Sequence, residues 1–232
     1  MELNVNIFFT ADTHFNHVLV YECYCPERAK IFSSLDEMNE ILIENWNMTV
    51  NPEDMVYHLG DFAMGDRNEF GYFRKKLRGQ IVLVGGNHDL ERGKKKVMIE
   101  LFGSGNVFRR LVTDLPGLGK TQLIHSPTIW QQERLNHDQR PILSADHKCS
   151  FSYDTRDENG WISCQCGTRR RRTERALDAG IDVGLCGHVH QNWRVSRSGR
   201  WINVGVDVWD YKPVALDELV MLKKLVTTSN TD

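Results

Sequence analysis

Five short β-rich runs of this chain end in the same kind of residue, and that repetition constrains the fold more than any other feature. Val5 to Thr10 leads into Asp12, and Met55 to Leu59 into Gly60-Asp61. Gln80 to Val84 leads into Gly85-Gly86-Asn87-His88-Asp89, Gln122 to Ile124 into His125, and Val183 to Cys186 into Gly187-His188. Each end carries a side chain able to bind a metal ion or a phosphate. Open α/β sheets hold their ligands beyond the carboxyl ends of the strands. Five such ends in one chain point to one shared site.

Helix-like runs separate the strands. Ser34-Leu35-Asp36-Glu37 matches a capping box, and Met38, Ile41, Leu42 and Trp46 follow it at helical spacing. A basic helix-like stretch runs from Phe70 to Arg78. Strands alternating with helices argue for an α/β fold. The 232 residues are read as a single domain, long enough to bury a core without staples. The segment at about 129–173 breaks the alternation. It is polar, lacks clear periodicity and holds three of the six cysteines. It is read as an insertion that covers or borders the site.

Composition removes several function classes. A net charge of −2 excludes a globally basic nucleic-acid coat. The absence of an apolar run of about 18 residues excludes a membrane-spanning helix. The start, Met1-Glu2-Leu3-Asn4, lacks a signal peptide's basic leader, so the expected location is cytoplasmic, with reduced thiols.

The candidate metal ligands are Asp12, His14, Asp61, Asn87, His125, His188 and His190. Asp12 and His14 lie two apart at a strand end, and His188 and His190 repeat that spacing. Carboxylate, amide and imidazole donors together suit Mn²⁺, Fe, Zn²⁺ or Ni²⁺ better than Ca²⁺. Seven donors exceed one tetrahedral site and suit two ions. A bridging carboxylate would hold such ions about 3.5–4 Å apart, as in two-metal hydrolases.

These blocks resemble the calcineurin-like metallophosphoesterases, whose pattern is Asp-x-His, Gly-Asp, Gly-Asn-His-Asp/Glu, a lone His, then Gly-His-x-His. All five blocks occur in order from Asp12 to His190. The resemblance implies a four-layer α-β-β-α sandwich of two mixed sheets. It implies that Asp12, His14 and His190 bind one metal, that Asn87, His125 and His188 bind a second, and that Asp61 bridges them. It implies a catalytic role for His88 at the phosphoryl group, with Asp89 orienting His88 as outer-shell carboxylates do. Hydroxide formed between the two cations would attack phosphorus while His88 assists the leaving group.

The protein serine/threonine phosphatase branch carries Gly-Asn-His-Glu and an earlier Asp-Arg. Here the block is Gly86-Asn87-His88-Asp89, and Asp66-Arg67 falls too far on. Asp12-Thr13-His14-Phe15-Asn16-His17 and Val56-Tyr57-His58-Leu59-Gly60-Asp61-Phe62 look instead like a small bacterial and phage branch.

Other features carry weaker readings. His17 is placed as a substrate-binding residue reaching the phosphate or leaving group. His58 is read as a half-buried strand residue, Cys23 and Cys25 as packing residues, and Asn203 as structural. His147, Cys149, Cys164 and Cys166 offer four zinc donors inside the insertion. Their one-residue gaps depart from the usual structural-zinc spacing, so a surface hairpin with free thiols is preferred. Pro116-Gly117-Leu118-Gly119-Lys120-Thr121 is read as a turn, because Asp114 stands where a phosphate-binding loop needs Gly. The runs Arg92-Gly93-Lys94-Lys95-Lys96 and Arg169 to Arg172 are read as a solvated helix face. The alternative is a basic rim for nucleotides, with Trp130, Trp161 and Trp193 stacking on bases.

The sequence therefore points to a dinuclear phosphoesterase, with phosphodiesters of nucleotides or nucleic acids favoured over phosphomonoesters and no membrane partner. The alternatives are a catalytically weak metal-binding scaffold and a nucleic-acid-binding module.

Overall fold

The computed structural model describes residues 5–90, 93–134, 162–163 and 168–228, with side chains outside 129–173. The chain forms two compact units, one from residues 1–127 with 177–232 and the other from 128–176.

The larger unit is built on two mixed sheets. The first has the order Val214–Ala215 (β12), Ile7–Thr10 (β1), Met55–His58 (β2), Gln80–Val84 (β3) and Val107–Phe108 (β4). β12 is antiparallel to β1, and the other pairs are parallel. The second has the order Trp201–Asn203 (β11), Val183–Cys186 (β10), Gly119–Ile124 (β6) and Arg110–Leu115 (β5). Only β5 runs antiparallel within it.

Period-two alternation sorts the side chains of the first sheet onto two faces. Phe8, Val56, Ile81 and Leu83 join a cluster with Met38, Leu42 and Trp46 of α2 (Leu35–Thr49). Phe70 and Phe73 of α3 (Arg67–Lys76) and Met98 and Phe102 of α4 (Lys95–Phe102) complete that cluster. On the other face, Phe9, Leu59 and Val84 meet Leu123, Val183, Leu185 and Ile202 of the second sheet. Leu216 and Leu219 of α5 (Leu216–Thr228) pack into the same layer. Two mixed sheets flanked by helices are the expected architecture. Phe9, Leu59, Leu123 and Leu185 are wholly buried; truncating one of the leucines to alanine would cost about 2–5 kcal/mol.

The helix boundaries differ from the sequence expectation for a local reason. α3 begins three residues before Phe70 because the Asp66 carboxylate accepts from Asn68 N at 2.7 Å and Glu69 N at 3.2 Å. Glu69 Oε2 accepts from Asp66 N at 2.7 Å, closing a full capping box. At α2 the Ser34 hydroxyl accepts from Glu37 N, but Glu37 reaches back to Ser33 N, one residue early. A short helix, Pro26–Ile31 (α1), has no periodic signal. The turn read over Pro116 to Thr121 is shorter in the structure: Pro116 to Leu118 link β5 to β6, and Gly119 to Thr121 already pair with Leu115 to Thr113.

The smaller unit is a three-stranded antiparallel sheet ordered Thr128–Arg134 (β7), Thr168–Glu174 (β9) and Ile162–Ser163 (β8). Thr128 pairs with Glu174 and Arg134 with Thr168, so the segment read as lacking regular structure opens and closes as a β-ribbon. Arg169 to Arg172 therefore lie on a strand and not on a helix face. β-branched and aromatic residues such as Thr128, Ile129, Trp130 and Thr173 favour that state. His147, Cys149, Cys164 and Cys166, together with Arg92 and Trp161, lie outside the described residues.

Candidate metal centre

The strand ends of both sheets converge through backbone hydrogen bonds. Asp12 N donates to Gly60 O at 2.9 Å, His14 N to Asp61 O at 3.0 Å, and Gly187 N to His125 O at 2.9 Å. Val206 N donates to Ala11 O at 3.0 Å, stitching the first sheet to the second. The chain must turn sharply just past each strand. Asp12, His14, Asp61, His188 and His190 accordingly adopt left-handed backbone, with φ of 57°, 47°, 56°, 71° and 46°. Such a conformation costs a non-glycine residue about 1–3 kcal/mol and persists where the surroundings enforce it, commonly at functional sites. Two glycines allow the loops to touch. A Cβ at Gly86 would lie 2.2 Å from Asp61 Oδ1, and one at Gly60 would lie 2.4 Å from Gly86 N.

Six of the seven expected ligands gather into two clusters. One holds Asp12, His14 and His190; the other holds Asp61, His125 and His188. Within each, the donor atoms lie within 4.8 Å of one another. Asp61 Oδ2 lies 3.2 Å from His125 Nε2 and 3.7 Å from His14 Nε2, so it faces both clusters. Asn87 sits in the turn after β3 and is exposed, unlike the other six.

The donor set fits divalent cations. His14 Nε2 is buried with no hydrogen-bond partner, 3.9 Å from Asp12 Oδ1 and 3.7 Å from Asp61 Oδ2. A buried polar atom without a partner calls for an explanation, and a cation between these oxygens and the nitrogen supplies one. His188 Nδ1 and His125 Nε2 face each other at 3.2 Å, an arrangement that needs a proton or a cation between two lone pairs.

The electrostatics agree with that fit. Burial alone would lower His125, but the Asp61 carboxylate beside it, with Asp12, pushes it up to about 9. Burial likewise opposes His190, yet the Asp12 charge and the Asp207 hydrogen bond push it up to about 11. Asp61 is held well below the usual carboxylate range despite burial, chiefly by His125. Burial drives His14 well below its ordinary value, as expected for an imidazole kept neutral. A field that draws protons onto two imidazoles also draws metal cations.

His88 and His17 flank these clusters. His88 is half-buried; its backbone N–H donates to Asp61 Oδ1 at 3.0 Å, and its Nε2 lies 4.0 Å from Asp61 Oδ2. His17 is buried, with Nδ1 2.9 Å from His14 Nδ1 and its ring 5.0 Å from that of His88. Burial, then the charge of His88, lowers His17 to about 4.

The Asp89 carboxylate, expected to orient His88, is not hydrogen-bonded to the His88 ring. It accepts from Asp61 N at 2.6 Å, Gly86 N at 2.8 Å and Phe62 N at 3.0 Å, which ties two ligand loops together. Three backbone donors converge there because the Gly60 and Gly86 loops touch. His58 is wholly buried, with Nε2 2.9 Å from Thr13 Oγ1 and Nδ1 accepting from Gly60 N. Cys25 is buried as expected, but Cys23 is exposed. Asn203 braces the loop: its amide donates to His190 O at 2.7 Å and Trp193 O at 2.9 Å.

Sequence reasoning missed Arg28 and Asp207. Arg28 is wholly buried and clasps Asp207 through Nε at 2.7 Å and a terminal nitrogen at 2.8 Å. Asp207 Oδ2 in turn lies 2.9 Å from His190 Nδ1. The one available signal was a lone carboxylate in the apolar run Val204-Gly205-Val206-Asp207-Val208.

Two facing mixed sheets that carry His and Asp clusters on their strand ends define the class: an α/β metallophosphoesterase. A family model described as calcineurin-like phosphoesterase matches residues 5–192, and the chain belongs to that family of metal-dependent phosphoester hydrolases. It is similar to an uncharacterised protein of Methanocaldococcus jannaschii, 31% identical over 235 residues that cover 97% of this chain and 96% of that one. The crystal structure of a protein of unknown function from Aquifex aeolicus superposes with a TM-score of 0.57 at 24% identity. That match covers 94% of this chain and 100% of the other, and it bears on the fold alone.

Proposed function

We propose that this chain is a dinuclear metal-dependent phosphoesterase with phosphodiesters as its favoured substrates. The observation that carries this reading is Asp61 Oδ2, 3.2 Å from His125 Nε2 and 3.7 Å from His14 Nε2, one oxygen facing both clusters. Asp12, His14 and His190 would hold one ion, and His125, His188 and Asn87 the other, with Asp61 between them. Two divalent cations, Mn²⁺ before Fe, Zn²⁺ or Ni²⁺, supply charge neutralisation of the phosphate and an activated water near neutral pH.

The chain's own groups do the remaining work. His88, half-buried at the edge of the clusters, donates a proton to the leaving oxygen, a contribution of about 10²–10⁴ in rate. His14 would hold an ion through Nε2, which would leave the proton on Nδ1, 2.9 Å from His17 Nδ1, as a donor to that nitrogen. His17 then bears its own proton on Nε2 and serves as a fixed, neutral donor to the substrate. Asp89 keeps the Asp61 and Gly86 loops in register. The preference for a diester, as in a nucleotide or nucleic acid, rests on the basic runs Lys94 to Lys96 and Arg169 to Arg172 in a chain of net charge −2.

The test is hydrolysis of bis-p-nitrophenyl phosphate and p-nitrophenyl phosphate by metal-stripped protein with Mn²⁺ restored. Diester turnover that requires Mn²⁺ and two bound ions, and that falls at least a hundredfold in His88→Ala with both ions retained, is the expected result. Monoester turnover alone would overturn the diester preference. Uptake of two ions without turnover of either ester would favour the scaffold reading.

A further inference from the structure

Cys25, His190 and Asp207 form a third group of donors within 4.8 Å of one another, beside the cluster of Asp12, His14 and His190. It has the look of another metal site. Arg28 argues against that role. Its guanidinium is wholly buried and takes both oxygens of Asp207, at 2.7 and 2.8 Å. A cation placed there would meet a fixed positive charge and a carboxylate already engaged on both oxygens.

The same contacts describe a different device. Asp207 Oδ2 lies 2.9 Å from His190 Nδ1. That contact holds Nδ1 as a donor to the carboxylate, so Nε2 is the nitrogen left to ligate a metal. Arg28 also donates to the backbone oxygen of Asp12 at 2.7 Å and that of Thr13 at 3.2 Å. Asp12 and His190 both hold left-handed backbone, with φ of 57° and 46°. One buried ion pair thus reaches two members of one cluster, the first through its main chain and the second through its ring. A guanidinium fork suits this task because its donors lie in one rigid plane.

We propose that Arg28 and Asp207 are positioning residues that aim His190 Nε2 and hold the Asp12–Thr13 loop, so that one of the two metal sites depends on them and the other does not. This inference rests on the two-ion reading above. Outer-shell partners of ligating histidines typically contribute about 10–100-fold in metal affinity.

The experiment is Mn²⁺ titration, by calorimetry and chelator competition, of the full chain and of two variants. Asp207→Asn removes one partner. The paired Arg28→Met/Asp207→Leu change removes both charges, a replacement that buried pairs often tolerate in stability. The expected result is about 10–100-fold weaker binding of one Mn²⁺ and unchanged binding of the other, in variants that keep a cooperative melt. Wild-type affinity for both ions in a folded paired variant would overturn the proposal. A wild-type chain that binds fewer than two ions would overturn the two-ion reading instead. A measurement on unaltered protein covers the case in which neither variant folds. Imidazole ¹⁵N spectra with Zn²⁺ should show His190 Nε2 shifting on metal addition while Nδ1 keeps its proton. A shift at Nδ1 would refute the proposed aim.

Discussion

Replacing Asp89 with alanine separates two roles for this residue, a brace between loops and an orienter of His88. The carboxylate is wholly buried and accepts three backbone N–H groups, from Asp61 at 2.6 Å, Gly86 at 2.8 Å and Phe62 at 3.0 Å. A buried donor left without an acceptor costs about 1–3 kcal/mol, so three cost about 3–9 kcal/mol. Two effects reduce that figure. Burial, and then the charge of Asp61, push the Asp89 carboxyl up, and its removal relieves that repulsion. Water can also enter beside the exposed Asn87 and half-buried His88. A loss of about 3–5 kcal/mol is expected, about a fifth or more of a typical domain's stability. Asp89→Asn should fall between the two, since its amide retains an acceptor but presents N–H to N–H. Urea unfolding near pH 7 with metals chelated measures the loss. A loss below about 1 kcal/mol, with a fall in kcat/KM and a displaced limb in the pH–rate profile, would refute the brace and restore the link to His88.

Other outcomes follow from the same geometry. Gly86→Ala should weaken Mn²⁺ binding at least tenfold while the chain stays folded, because the new Cβ would lie 2.2 Å from Asp61 Oδ1; unchanged affinity would show that the loops can part. Metal uptake at pH 7–8 should release about two protons, since His125 at about 9 and His190 at about 11 are protonated in the metal-free chain. Calorimetry in buffers of different ionisation enthalpy checks this, and pH-independent affinity from 6 to 9 would contradict it. The sign for stability follows from the same two raised groups. The metal-free fold holds protons that the unfolded chain releases near 6.5, so stability should fall as pH rises from there through about 9, and a flat melting temperature over that window would count against it. His17→Phe should keep both ions and lower kcat about 10²-fold, with full turnover refuting a donor role at Nε2.

Much of the site was legible in sequence because its elements are local. Met55 to Leu59 and Gln80 to Val84 read as strands from β-rich composition and terminal glycines, and they form β2 and β3. Asp12, His14, Asp61, His125, His188 and His190 stood out because each follows such a run. The start of α3 was missed although Asp66 and Glu69 stand at capping-box spacing, since the apolar periodicity begins only at Phe70. The carboxylate of Asp89 was assigned to its sequence neighbour His88, whereas its partners are backbone groups of loops that meet only in three dimensions. Arg28 and Asp207 gave no joint signal because 179 residues separate them.

Donor chemistry belongs to residue type and strand periodicity to neighbouring residues, so the sequence by itself determined which side chains can bind a cation and that they stand at strand ends. The tertiary structure alone decided which donors share a cluster, which nitrogen of His14 and His125 faces Asp61 and which buried charge is compensated by which. Those depend on contacts between distant segments, such as the Asp12 carboxylate on His188 N across 176 residues, and no local pattern encodes them.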